Sequence, residues 1–359
     1  MSVFSEICAG LREGRGASLA TIIRVSGPAP APLHSKMLVW GEPGFGISGT
    51  VGGGCLDASV IRLLKGRETG DGRGTGRPCI EKFALDDELG ETAMTCGGKV
   101  EVLLEALTPD MLPVFEKIES RLQEGADCVL ATRLGGSGEG RASGGRAGRG
   151  KFLIDPEVNT SEQGHPEQLP FGRPGQAALP GPLDTIRRFQ AGADTYLLEF
   201  LEAPPRLIVF GGGHLGKAVT DFAAPSGFLV TVVDDRPEFT GNDRYPDGTQ
   251  TLCRRFDLIW SDLQFTDRTF VVIATRGHKH DEMILENCLR CHPRYLGMIG
   301  SRRKVHLTFR SLQAKGISAD RLSSVHAPIG LKIGALTPEE IGISIVAEMI
   351  AVRRSPTGR

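Results

Sequence analysis

The feature that most constrains the fold is the segment RLIVFGGGHLGKAV, which begins at Arg206. After Arg206, the residues LIVF form a short continuous apolar run, which is typical of a strand buried on both faces of a parallel sheet. Gly211, Gly213 and Gly216 follow with the spacing G-x-G-x-x-G, where the pattern changes from strand to helix. Asp234 ends the next strand-like run, FLVTVVD, about 20 residues further on. Together these features predict a Rossmann-type unit.

The glycine loop predicts a nucleotide or nucleotide-like ligand. Glycines let the backbone approach a phosphate closely, and the phosphate then lies at the positive end of a helix, which here begins near His214. The Asp234 carboxylate is expected to accept hydrogen bonds from ribose hydroxyls and to disfavour a 2′-phosphate. Two alternatives stay open: the loop holds no ligand, or it holds an anion that is not a nucleotide.

Two further segments follow predicted strands, at the edge where a doubly wound sheet places its ligand. The first, TRGHKHD, runs from Thr275 to Asp281 and contains the candidate site residues Arg276 and His278. His278, His280 and Asp281 resemble a set of metal ligands. Their spacing suits neither one helix face nor the usual zinc patterns, so we predict no metal site.

The second of these segments, GSRRKV, forms a strongly basic helix start. Ser301 is expected to cap the helix, and Arg302, Arg303 and Lys304 occupy its first turn. The helix macrodipole disfavours cations at that end. A bound anion would offset this cost, and a solvated basic turn is the alternative that stays open.

The chain as a whole is predicted to form two α/β domains. Its 359 residues are many for a single domain, and Pro204-Pro205 mark a natural boundary because neither nitrogen can donate to a sheet. Residues 1–203 alternate strand-like and helical runs and form the first domain. A Gly/Arg- and Pro-rich insert at about 134–182 is expected to be a flexible surface loop of that domain. Residues 204–359 are predicted to form a Rossmann-like, doubly wound parallel sheet with a C-terminal helix.

Two glycine-rich segments of the first domain each carry a cysteine. In GTVGGGC the cysteine lies at the start of a predicted helix, where free amides and the helix dipole stabilise a thiolate. The three glycines before it can form an amide nest for an anion, and MTCGG places a second cysteine before a strand. Loop thiols beside glycines favour soft-metal or sulfur chemistry. Each cysteine is explained equally well, however, as a small structural residue. The candidate site residues from these segments are Gly52, Gly53, Gly54, Cys55, Cys96, Gly97 and Gly98.

The composition argues against several classes of partner. A formal net charge of −1 gives no field that would attract nucleic acid or an acidic membrane. No apolar run approaches the ~20 residues of a membrane span, and the N-terminus lacks the layout of a signal peptide. Eight cysteines without a secretion signal are better interpreted as reduced thiols. These features predict a cytoplasmic protein.

Several motifs occur in the order in which a known family carries them. The sequence resembles the XdhC/CoxI family of xanthine dehydrogenase accessory proteins through GTVGGGCLDASV, MTCGGKVEVLLE, LIVFGGGHLGKAV, VDDRPEF, TRGHKHDE, YLGMIGSRRKV and HAPIGLKIGALTPEEIGISIVAEMI. The resemblance covers nearly the whole chain except the Gly/Arg- and Pro-rich insert. It implies an N-terminal XdhC/CoxI-type domain followed by a Rossmann-type domain.

The resemblance implies a cofactor chaperone rather than a metabolic enzyme, and no catalytic residue is assigned. Members of the family bind the molybdenum cofactor and protect it while a sulfido ligand is installed with help from a cysteine desulfurase. They then deliver it to a molybdenum hydroxylase such as xanthine dehydrogenase. The cofactor is molybdopterin or its cytosine dinucleotide form. Its phosphate would suit the amides and arginines of the Rossmann loops, and its soft molybdenum–sulfur centre would suit Cys55 or Cys96.

An NAD(P)-dependent oxidoreductase is the alternative interpretation. The glycine loop and Asp234 favour it, and His278 with Asp281 could supply a base and the group that orients it. The first domain, however, shows no clamp for a substrate carboxylate, and its glycine–cysteine loops have no purpose in hydride transfer. A homodimer also stays open, because the last helix is apolar over much of its surface.

Overall fold

The computed structural model describes residues 2–41, 46–68, 78–85, 97–136, 150–154, 185–191 and 194–355. The chain divides into two compact units, Met1–Ala203 and Pro204–Arg359. Within the described ranges, every helix is too short or too polar to cross a membrane.

The N-terminal unit contains two antiparallel sheets. The first has the strand order β3-β2-β1-β5-β4 and consists of β1 (Ala17–Ser26), β2 (Lys36–Trp40), β3 (Gly46–Gly49), β4 (Cys79–Ala84) and β5 (Lys99–Leu107). The second has the order β7-β6-β9-β8 and consists of β6 (Cys128–Gly136), β7 (Lys151–Ile154), β8 (Ile186–Ala191) and β9 (Asp194–Leu201). The described helices of this unit are α1 (Val3–Arg12), α2 (Gly54–Glu68) and α3 (Leu112–Glu124).

Helices cover both faces of the first sheet. Because successive side chains of a strand point to opposite faces, β1 contributes Ala17 and Leu19 to one core cluster, and Ala20 and Ile22 to another. The first cluster contains the buried side chains of α1 and α3, and the second contains those of α2. The strands β1, β2 and β5 are therefore mostly buried between helices, whereas β3 and β4 are more exposed.

The C-terminal unit is built on one parallel sheet of five strands. These are β10 (Arg206–Phe210), β11 (Leu229–Asp234), β12 (Gln250–Cys253), β13 (Thr269–Ile273) and β14 (Tyr295–Met298), in the order β12-β11-β10-β13-β14. The described helices are α4 (His214–Ala223), α5 (His278–Cys291), α6 (Arg302–Ala314), α7 (Ala319–Ser323) and α8 (Pro338–Arg354). This is the 3-2-1-4-5 order of a Rossmann sheet, in which the strand order reverses between β10 and β13.

The sheet of the C-terminal unit is doubly wound. Leu207 and Val209 of β10 pack in a cluster with α4 and α8, whereas Ile208 and Phe210 pack in a cluster with α5 and α6. An N-terminal α/β unit followed by a Rossmann-like unit was the predicted fold class, and the structure confirms it. The starts of α4, α5 and α6 all follow the carboxyl ends of strands, where ligands of such sheets bind.

Candidate functional site

The first candidate region is the glycine–cysteine loop that joins β3 to α2. Gly52, Gly53 and Gly54 all have positive φ, at 146°, 73° and 53°, which is a backbone conformation that glycine adopts without steric cost. A Cβ built on Gly53 or Gly54 would meet nothing within 4 Å, so the loop is open on that side. Cys55, the second residue of α2, is exposed and is not part of a disulfide.

Two polar side chains hold this loop in place. The Thr50 hydroxyl oxygen accepts hydrogen bonds from the amides of Gly52 at 3.0 Å and Gly53 at 2.7 Å, and it donates to Asp57 at 2.7 Å. The other carboxylate oxygen of Asp57 accepts from the Val51 amide at 3.0 Å. Two of the amides of the predicted nest, those of Gly52 and Gly53, are already bonded to Thr50.

The second glycine segment reaches the same edge of the first sheet. A Cβ on Gly98 would lie 2.0 Å from the Pro28 carbonyl oxygen, and a Cβ on Gly52 would lie 2.7 Å from Cγ of Pro30. Both glycine segments therefore pack against one short proline-rich stretch after β1. Gly97 also has positive φ, at 70°, and is open on the side where a Cβ would project. Cys96 lies outside the described residues.

A buried charged cluster lies beside the start of this loop, and sequence reasoning missed it. The Lys36 carbonyl accepts from the Thr50 amide at 3.0 Å. The Lys36 ammonium lies 2.5 Å from Glu199 of β9, and Nδ1 of His34 lies 2.9 Å from the same carboxylate oxygen. Burial alone would raise the pKa of the Glu199 carboxyl, but Lys36 and His34 outweigh burial and hold that pKa at about 2.

In the C-terminal unit, the three fingerprint glycines have different surroundings. A Cβ on Gly211 would lie 2.4 Å from the carbonyl oxygen of Ala274, and one on Gly216 would lie 1.8 Å from that of Gly211. Both positions therefore require glycine for packing. Gly213 is open, because a Cβ there would meet nothing within 4 Å, and the His214 side chain beside it is exposed.

The contacts of Asp234 differ from those expected of an acid that binds ribose hydroxyls. Its side chain is 1% exposed, and its two oxygens accept four hydrogen bonds. The donors are the Gly212 amide at 2.8 Å and three groups of Arg236: the amide at 3.1 Å, Nε at 2.9 Å and Nη2 at 3.0 Å. Burial would raise the pKa of the Asp234 carboxyl, but these hydrogen bonds hold it below its ordinary value. Asp234 thus links the glycine loop to the end of β11 and has no free site for a ribose hydroxyl.

Arg276 and His278 follow the end of β13, as the sequence predicts. The Arg276 guanidinium lies 3.2 Å from the Asp235 carboxylate and is otherwise largely exposed. His278 is the first residue of α5, and its side chain lies outside the described part of the chain.

Asp281 is fully buried and already has two partners. The Thr275 hydroxyl donates to one of its oxygens at 2.5 Å, and the Lys304 ammonium pairs with the other. The role considered for Asp281 as the group that orients a His278 base is therefore not supported by these contacts.

The basic start of α6 is only partly explained by contacts inside the protein. As predicted, Ser301 caps the helix by accepting a hydrogen bond from the Lys304 amide. Lys304 itself is held by Asp281. Arg302 and Arg303 are exposed, and neither pairs with an acid among the residues that the structure describes. Within those residues, no group of three His, Cys, Asp or Glu side chains could hold a metal ion.

Two family descriptions match the chain. The description "XdhC Rossmann domain" matches residues 207–349, and "XdhC and CoxI family" matches residues 10–73. The first therefore falls within the parallel sheet and helices of the C-terminal unit, and the second spans β1 to α2 of the N-terminal unit.

Relatives extend over almost the whole chain. A probable xanthine dehydrogenase subunit of Bacillus subtilis (strain 168) is 28% identical over 348 residues, which cover 96% of this chain and 95% of the relative. The molybdenum cofactor insertion chaperone PaoD of Escherichia coli (strain K12) is 21% identical over 348 residues, covering 96% and 85%. A crystal structure described as a xanthine dehydrogenase from Bacillus halodurans matches with a TM-score of 0.75 at 24% identity. It covers 100% of this chain and 97% of that one, which shows a shared fold.

Proposed function

The chain belongs to the XdhC and CoxI family, and from this we propose that it is an accessory protein that binds the molybdenum cofactor as cargo and delivers it to a molybdenum hydroxylase. The name of one relative, a molybdenum cofactor insertion chaperone, supports this role. The other relative is named as part of a xanthine dehydrogenase, which supports a hydroxylase of that type as the partner.

The observation that carries the proposal is the exposed thiol at the edge of the first sheet. Cys55 opens α2 beside two glycines whose surfaces are free, and the second glycine segment packs against the same proline-rich stretch. Thiolates are preferred ligands of soft metal and metal–sulfur centres, so an exposed cysteine beside an open glycine loop suits such a centre. We assign the soft centre of the cargo to this edge, with Cys55 as the residue that contacts it.

The finer steps of the proposed function are those that the family resemblance implies. The cargo is protected while it is bound, and a cysteine desulfurase supplies the sulfur for its terminal sulfido ligand. An exposed Cys55, rather than a buried one, leaves the soft centre within reach of such a partner. The residues proposed to contact the cargo in this unit are Gly53, Gly54, Cys55, Cys96 and Gly97.

Within the C-terminal unit, the Rossmann edge offers groups that suit an anion. Gly213 and His214 are open at the start of α4, and Arg302 and Arg303 lie exposed at the start of α6. An anion is favoured at both positions, because the amides at a helix start are free and the dipole is positive there. The oxidoreductase alternative gains no support from these contacts, since the acids that favoured it, Asp234 and Asp281, are both engaged inside the protein.

The proposal is tested by purifying the protein without oxygen and measuring the bound pterin as its fluorescent oxidation products. The wild type is expected to carry pterin, and Cys55→Ser is expected to weaken its retention by about tenfold or more, which is ~1.4 kcal/mol of binding energy. The matched control is Cys253→Ser, which changes another exposed cysteine in the other unit and should retain pterin as the wild type does.

The outcomes of this experiment separate the two parts of the proposal. A wild-type protein free of pterin after expression with an active cofactor pathway would overturn the cargo role. Equal retention by Cys55→Ser and Cys253→Ser would overturn the assignment of the thiol alone. Adding Cys96→Ser to Cys55→Ser then shows whether the second cysteine contributes.

A further inference from the structure

We infer that Arg236 is a specificity-determining residue that closes the Rossmann glycine loop to dinucleotides. A Rossmann sheet with a glycine fingerprint implies NAD or a similar dinucleotide, whose adenosine ribose is bound by the acid at the end of the second strand. Here that acid is Asp234, and its surroundings do not fit a ribose. The inference goes beyond the proposed function and does not depend on it.

The acceptor capacity of Asp234 is fully used. An ionised carboxylate offers about four lone-pair positions, and Asp234 accepts four hydrogen bonds, three of them from Arg236. The Arg236 guanidinium donates hydrogen bonds to both carboxylate oxygens, in the bidentate arrangement that makes arginine–carboxylate pairs strong. A ribose hydroxyl could bond Asp234 only by displacing Arg236.

Arg236 is held from its other side as well. Its guanidinium lies 3.8 Å from the centre of the Phe239 ring, a cation–π contact, and its side chain is only 23% exposed. Phe239 is fixed in turn, because its carbonyl accepts a hydrogen bond from the Tyr245 hydroxyl at 2.6 Å. Moving Arg236 aside would therefore break its bonds to Asp234 and its contact with Phe239 together.

The same short segment covers the loop itself. A Cβ on Gly212 would lie 2.5 Å from the Phe239 carbonyl oxygen and 2.7 Å from the Tyr245 hydroxyl, which also lies 3.1 Å from the Gly212 carbonyl. Gly213, one residue further on, is open. The loop is thus free where a phosphate approaches and filled where a nucleoside would follow, so a ligand that needs both positions is excluded.

The inference is tested by calorimetric titration of the full chain with NAD⁺. The wild type is expected to show no binding up to about 1 mM NAD⁺, which means a binding free energy weaker than about −4 kcal/mol. Arg236→Ala removes both guanidinium bonds and so frees two acceptor positions of Asp234, and it is expected to raise the affinity by about tenfold or more. Arg236→Gln, which keeps one donor for the buried carboxylate, serves as the second variant if Arg236→Ala does not fold.

The matched control is Arg255→Ala, because Arg255 also bonds the acid two residues away, Asp257, through Nε and Nη2, but on the exposed surface. It should not gain NAD⁺ affinity. Adding Asp234→Asn to the Arg236 variant should remove the gain. Micromolar binding of NAD⁺ by the wild type would overturn the inference, and so would a folded Arg236 variant with no gain. Pterin retention is measured separately, so either result leaves the proposed function to be judged by its own experiment.

Discussion

Glu199 is one of the buried carboxylates of the N-terminal unit. Its carboxylate on β9 lies 2.5 Å from the Lys36 ammonium on β2, and both side chains are 8% exposed. Removing one partner of a buried pair leaves the other charge uncompensated, which costs about 3–5 kcal/mol. We therefore expect Glu199→Gln to lower the free energy of unfolding by about that amount, measured by urea titration at pH 7.

The control and the pH dependence make this prediction specific. Glu116→Gln removes an exposed partner of Arg12 and should leave the unfolding free energy nearly unchanged. The folded pKa of Glu199, about 2, lies below its ordinary value of 4.5, so the ionised carboxylate stabilises the fold above pH 4.5. That contribution is lost as the pH falls from 4.5 towards 2. A difference between wild type and Glu199→Gln that stays constant over this range would contradict the assignment.

Residue positions were easier to predict than their partners. The run FLVTVVD correctly places Asp234 at the end of β11, but that run does not show that the Arg236 guanidinium fills the acceptor positions of Asp234. The spacing D-x-R is a local signal that could have suggested this pairing. The cluster around Glu199 has no such signal, since Lys36 lies 163 residues away in sequence and the contact depends on how two sheets meet.

At the scale of elements, α1 is fixed on the first sheet by a glycine. A Cβ on Gly10 would lie 2.0 Å from Cη2 of Trp40, whose indole nitrogen donates to Glu6 at 3.3 Å and whose ring lies under Arg15. The ring cannot move aside without losing these contacts. We expect Gly10→Ala to destabilise the protein by about 1–3 kcal/mol, although alanine favours a helix by ~1 kcal/mol over glycine. Urea titration measures the change.

Gly16→Ala is the matched control for this prediction. A Cβ there would lie 3.5 Å from the Leu107 carbonyl oxygen, an ordinary contact, so no packing penalty is expected. Reduced freedom of the unfolded chain should make this variant as stable as the wild type or slightly more so. Equal stability of the Gly10→Ala and Gly16→Ala proteins would show that α1 does not depend on close approach to Trp40.

The apolar strands of the parallel sheet were predicted, and two short edge strands were not. The apolar runs of β10, β11, β13 and β14 are buried on both faces and identified the parallel sheet. β12, with the sequence QTLC, and β3, with GISG, are short and only partly buried or exposed, so they carry no hydrophobic period. Such edge strands form because a neighbouring strand offers its hydrogen-bonding groups, which depends on tertiary structure rather than on local sequence.

At the scale of the whole molecule, the two units are stabilised by different kinds of pairing. In the C-terminal unit each strand is followed by its crossover, and the order 3-2-1-4-5 arises from a few such local steps. In the N-terminal unit, β1 pairs with β5 and β6 pairs with β9 across long stretches of chain. This explains why the Rossmann fold could be predicted from its apolar strands, whereas the two antiparallel sheets could be predicted only as an α/β class.

The C-terminal unit builds its core from its own residues, and we expect it to fold alone. Both faces of its sheet are covered by its own helices, in two clusters that contain Phe210 and Val209. A fragment of residues 204–359 should therefore show native circular dichroism and a cooperative thermal transition. A fragment of residues 212–359 is the control, because it lacks β10, the central strand that pairs with both β11 and β13, and should remain unfolded. A fragment 204–359 without a cooperative transition would show that this unit depends on the rest of the chain.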